Sequence, residues 1–162
     1  MFSTAFSTVA LMALPLALPG TGTGAAPAPG ATSPAPALSA TVEQCVTAPT
    51  QAGRSVTFVG EMETVTDAHR MAMQIVVQEH TPEEAGFHTL TADGLGTWER
   101  SEVGVKIYKY VRQVADLPGP AAFRAIVLYR WMNEKGHVIR RDERRTPVCR
   151  QPAAAASPTT GQ

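Results

Sequence analysis

The stretch RMAMQIVVQ, residues 70–78, decides the fold. Met71, Met73, Ile75 and Val77 alternate with polar Arg70, Gln74 and Gln78, and a period of two puts apolar side chains on one strand face and polar ones on the other. A helix through residues 69–79 would gather Met71, Ile75 and Gln78 on one side and leave Met73 and Val77 off it, so the strand template fits better. Immediately upstream, Val56, Phe58, Gly60 and Met62 alternate with Thr57, Val59 and Glu61 in the same way. Further strands are predicted over 41–47, 87–90, 105–114, 122–132 and 137–144. Turn formers separate them at Ala52-Gly53, Thr81-Pro82, Asp93-Gly94, Pro118-Gly119-Pro120 and Lys135-Gly136. No stretch carries the apolar stripe and caps of a long helix. About seven short strands at this spacing predict an all-β sandwich or barrel.

Charge and cysteine set the boundaries. Every Asp, Glu, Lys and Arg of the 162-residue chain lies between Glu43 and Arg150, and the two cysteines, Cys45 and Cys149, stand near the ends of that span. Residues 5–18 (AFSTVALMALPLAL) are apolar, follow the start methionine almost at once and give way to Gly, Thr and Ala, the layout of a secretory signal peptide, here assigned to residues 1–25. A run of about 14 apolar residues is shorter than the roughly 20 of a spanning helix, so no permanent membrane span is expected after cleavage. The LPxTG pattern at 18–22 follows the apolar stretch instead of preceding it, the reverse of a wall-sorting signal. Residues 26–40 read as an Ala/Pro-rich linker and 153–162 as a tail of the same composition, both too poor in large apolar side chains to offset the entropy of ordering. The folded domain is therefore expected over 41–152, in a secreted or cell-envelope protein. In an exported chain without CxxC spacing, Cys45 and Cys149 are expected to pair and to staple the first strand to the last.

The segment LPGPAAFRAIVLY, residues 117–129, resembles the corner and penultimate strand of fibronectin type III and related immunoglobulin-like domains. There a leucine and a Pro/Gly turn precede an aromatic residue that opens an alternating strand. Phe123 stands where that family carries its corner tyrosine, and lacks the hydroxyl of the tyrosine corner. The resemblance implies an immunoglobulin-like or fibronectin type III-like sandwich of about seven strands. The Ala, Gly, Pro and Arg content and the style of the leader resemble small exported proteins of high-GC actinobacteria.

Catalytic and metal motifs are absent. His69, His80, His88 and His137 are scattered, no HExxH or comparable zinc spacing occurs, and no metal or cofactor is expected. There is no GxSxG elbow and no phosphate-cradling loop, and Glu61 and Glu63 share a strand face without a surrounding cleft. The one loop with groups for a small secreted hydrolase or inhibitor is 79–96, which holds Glu79, His80, Glu83 and His88.

Charge points elsewhere. Between Glu43 and Gly104 ten acidic residues face three arginines, and between Val105 and Arg150 eleven basic residues face four acidic ones. Opposite blocks can neutralise each other across paired strands; otherwise they leave a basic face for an anionic partner. Lys106, Tyr108, Tyr110 and Arg112 share one side of their strand, a combination suited to sugars, peptides or anionic polymers, unless the tyrosines turn into the core and Val105, Ile107 and Val111 face out. On the last long strand, Arg140 and Arg144 share one face and Arg141 and Arg145 the other. Lys106, Tyr108, Tyr110, Arg112, Arg140 and Arg144 form the expected binding surface. The expected function is that of a non-catalytic module binding a protein or an anionic extracellular polymer, or serving as a structural spacer. Nucleic acid is not an expected partner for an exported, electroneutral chain.

Overall fold

A computed structural model describes residues 36–153. The expected signal peptide, most of the linker and the tail from residue 154 lie outside these residues. Among the described residues, nine strands form two antiparallel sheets, with one short 3-10 turn at Gln51–Gly53. The first sheet has the order β1-β2-β6, with β1 Leu38–Val46, β2 Ser55–Glu63 and β6 Ile107–Ala115. The second is built on β3 (Arg70–His80) and β7 (Ala121–Met132), which pair along their whole length. The outer edge of β3 carries the short strands β4 (His88–Thr89) and β5 (Trp98–Arg100), and that of β7 carries β8 (Val138–Arg145) and β9 (Cys149–Gln151).

The alternation read from residues 70–78 holds. Met71, Met73, Ile75 and Val77 are buried and meet Val56, Phe58 and Met62 from the first sheet and Phe123, Ala125, Val127, Tyr129 and Trp131 from β7. Gly60 marks a close approach of the layers: a Cβ there would lie 2.8 Å from both Met73 Sδ and Val127 Cγ1. Two aromatic side chains of β7 bridge the layers through their polar ends. Tyr129 Oη donates to Ser39 O at 2.6 Å and Trp131 Nε1 donates to Glu63 O at 2.7 Å, so each buried polar tip is satisfied by main chain of the facing sheet.

Strand ends shift and two strands were not expected. β1 starts at Leu38, ahead of position 41, because Leu38, Ala40 and Val42 pack on the core. β5 and β9, three residues each, are too short to show a period. Cys45 and Cys149 are bonded, with Cα atoms 5.6 Å apart, and join the first strand to the last. Among the described residues no helix is long and apolar enough to cross a membrane.

Candidate binding surface

The six residues singled out from the sequence fall on opposite edges of the molecule. β6 closes one edge of the first sheet, and its register (Met62 opposite Tyr108, Gly60 opposite Tyr110) turns Tyr108, Tyr110 and Arg112 toward the core side. Both tyrosines are half-buried against the core. Burial raises the Tyr108 pKa, and the nearby Glu99 and Tyr110 add to it. Arg112 folds back on Tyr110, lying 5.5 Å from its ring centroid and donating to its hydroxyl. Lys106 is exposed just ahead of the strand. Arg140 and Arg144 sit on β8, which lies beside β1 on the far side. Their register, opposite Trp131 and Val127, gives them the inward parity of those residues. Arg140 lies 5.5 Å from the Trp131 ring centroid and Arg144 is ion-paired with Asp142.

Arginines do converge on the outer face of the second sheet. β7 sends Phe123, Ala125, Val127, Tyr129 and Trp131 inward, so period-two alternation sends Arg124, Ile126, Leu128 and Arg130 outward. Cross-strand register then aligns Arg100, Ala72, Arg130 and Arg141 in one row. The next row reads Trp98, Gln74, Leu128, Glu143; the next, Val76, Ile126, Arg145; and the next, Thr89, Gln78, Arg124. The basic pair that joins β7 is thus Arg141 and Arg145. Period two predicted the split within β8, but only the sheet order identifies which half faces β7's arginines.

Aromatic rings hold two of these guanidiniums in place. Arg130 lies 3.7 Å from the centroid of Trp98, and Arg124 lies 3.8 Å from that of Phe87 while donating through Nε to Gln78 Oε1 at 2.9 Å. Such stacking orders the charge without neutralising it. Partial burial and the neighbouring Arg145 hold the Arg124 pKa below its ordinary value. Among the described residues, ion pairs within 4 Å join His88 to Glu79 and Glu84, Lys109 to Glu43, and Arg144 to Asp142; none includes an arginine of the four rows. Glu143 is the one carboxylate placed in those rows. A groove of about 410 Å³ runs between Trp98, Leu128, Arg130, Arg141 and Glu143, with Tyr129 and the Arg144-paired Asp142 also in its wall. Beyond Arg100, a second depression of about 350 Å³ is lined by His69, Arg70, Lys135 and Glu134 at the β7–β8 hairpin.

The two charge blocks of the sequence neutralise each other at Lys109, which is opposite Glu61 in the register and 3.2 Å from Glu43 Oε1. In the loop after β3, His80, Glu84 and His88 bond within the loop, and a depression of about 230 Å³ lies beside His80 and Pro82, lined also by Ala122 and Arg150. His88 Nδ1 lies 3.0 Å from Glu84 Oε2, which also accepts from Thr81 N and Oγ1 at 3.1 Å, and His80 Nε2 lies 3.0 Å from Glu84 O. The Thr81 main-chain N–H is the largest cause that holds the Glu84 carboxyl below its ordinary pKa. Among the described residues no three His, Cys, Asp or Glu side chains are grouped to hold a metal ion.

No family model and no curated protein matches the chain.

Proposed function

We propose that this chain carries a non-catalytic binding module that works outside the cytoplasm and holds an anionic partner on the arginine face of its second sheet. The observation that carries this reading is the row Arg100, Arg130 and Arg141, three arginines aligned by register on β5, β7 and β8 that form no ion pair within 4 Å among the described residues. Like charges placed side by side repel, and an anionic partner would relieve that repulsion.

The proposed fold type is immunoglobulin-like, in the fibronectin type III manner. Taking β4 and β5 together as a fourth position, the first, second and fifth strands form one sheet and the third, sixth and seventh the other, as A, B, E and C, F, G do in immunoglobulin-like domains. Leu117 and Phe123 are both buried at the corner that carries the resemblance. Work outside the cytoplasm is supported by the signal-like leader and by a disulfide that an oxidising compartment would preserve.

The test is retention of the full-length mature chain on an immobilised polyanion as salt is raised. Arg130→Gln/Arg141→Gln and Arg124→Gln/Arg145→Gln should each elute at clearly lower salt than the unaltered chain, because exposed charge attraction is screened over about 8 Å at physiological ionic strength. Arg140→Gln/Arg144→Gln, on the other side of β8, should elute near the unaltered chain. Equal elution of all three pairs with the unaltered chain, or no retention at low salt, overturns the reading.

A further inference from the structure

We infer that the groove between Trp98 and Arg141 seats a sugar ring of a linear anionic polysaccharide, whose acid groups fall on Arg100, Arg130 and Arg141. This rests on the binding-module reading above and narrows it to one ligand class. The argument starts from the mixture of chemistries in two adjacent rows. One row holds three arginines, with the buried Ala72 between Arg100 and Arg130. The next row holds Trp98, Gln74, Leu128 and Glu143, an aromatic ring, an amide, an aliphatic floor and a carboxylate. The groove of about 410 Å³ lies where the two rows meet.

A bare polyanion would use only the arginines, and Glu143 would repel it. An acidic sugar uses the cations, the carboxylate and the apolar floor together. Its acid group pairs with a guanidinium, its hydroxyls donate to Glu143, and the C–H face of its ring rests on Leu128 and on the part of Trp98 that lines the groove beside Arg130. Trp98 is already packed with Arg130 at 3.7 Å, so both groups are pre-ordered and lose little freedom on binding. The length of the face argues for a chain of sugars. Arg100 and Arg141 end a row that crosses β5, β3, β7 and β8, three strand spacings or about 14 Å. A single monosaccharide would leave most of that charge unmatched.

The experiment measures affinity of the full-length mature chain, at about 0.15 M salt, for four soluble probes. They are a polyuronate such as polygalacturonate, an uncharged glucan, inorganic polyphosphate and polyglutamate. The polyuronate should bind more tightly than polyphosphate or polyglutamate of matched charge by about tenfold, the scale of one ring-stacking contact, and the glucan should bind far more weakly. Glu143→Ala separates the mechanisms, since it removes an exposed negative charge and disturbs no core packing. It should weaken the polyuronate and strengthen polyphosphate. Trp98→Ala should remove the preference for the polyuronate. Polyphosphate or polyglutamate binding as well as the polyuronate, or Glu143→Ala strengthening every polyanion alike, overturns the sugar site and leaves the anionic-partner reading standing. No binding to any polyanion overturns both.

Discussion

Arg54 is a charged side chain at 2% exposure. It sits at the end of the 3-10 turn Gln51–Gly53, and its guanidinium is held by main-chain carbonyls, with Nε donating to Ala48 O at 2.7 Å and Nη2 reaching Pro49 O at 3.4 Å. A Cβ on Gly119 would collide with Arg54 Nη1 and with Pro152 O, so this corner has room for a hydrogen atom only. Arg54 therefore ties the β1–β2 loop together and abuts the β6–β7 corner, where Leu117 N donates to Arg54 O. Arg54→Met should destabilise the domain by about 2–4 kcal/mol, because it strands carbonyls that a charged donor had satisfied, and Gly119→Ala should be destabilising through the collision. Denaturant midpoints check both; an Arg54→Met loss below about 0.5 kcal/mol, the range of ordinary surface changes, would contradict this role. A second residue-scale prediction concerns pH. Burial, together with Asp142 and against the pull of Arg144, raises the pKa of Tyr129, whose hydroxyl donates to Ser39 O. Folded Tyr129 keeps its proton above the unfolded value of about 10, so its contribution is complete below that pH and is lost as pH rises toward the folded pKa. Between about pH 9 and pH 11 the unaltered domain should lose more stability than Tyr129→Phe does. Arg54 was not legible as a core residue, since nothing in GRS at 53–55 distinguishes a buried arginine from a solvated one.

At the scale of the element, β1 shows how a single extra residue redirects chemistry. Leu38, Ala40 and Val42 point to the core with period two, which would next bring Gln44 inward and turn Cys45 away. A bulge between Val42 and Gln44 absorbs Glu43, places Cys45 opposite Val56, and so brings its sulfur to the side where Cys149 lies. Glu43, displaced outward, meets Lys109. The cysteine pairing was legible from the signal-like leader and the lack of CxxC spacing, but the bulge was not, because its cause is the requirement to meet a strand 104 residues away. Cys149→Ser should lower stability by about 3–4 kcal/mol, since the bond closes a loop on the order of 100 residues and its loss frees the unfolded chain. Thermal melting is expected to fall by roughly 15 °C or more for a domain of this size. A drop of only a few degrees would mean that core packing already fixes the two strands. β3 and β7 were the most legible elements because each is buried on one face over its whole length. β5 and β9 gave no signal because their pairing, not their composition, makes them strands.

Across the whole molecule, the opposed charge blocks do not cancel where they are densest. The acidic block contributes only Arg70 and Glu79 as charged residues to β3, so the long partner of β7 offers the outward arginines no counter-charge. Strand periodicity, the apolar face of β3 and β7, the cysteine pair and the split of the β8 arginines were legible before any contact was seen, since each follows from local alternation or from composition. Tertiary structure alone decided that β6 and β8 lie on opposite edges, which separates Tyr108 and Tyr110 from Arg140 and Arg144. It also decided that Arg100, Arg130 and Arg141 share a row beside Trp98. Alternation tells which residues of one strand share a face, whereas sheet order and register tell which strands are neighbours, and those depend on contacts distant in sequence that no local pattern encodes.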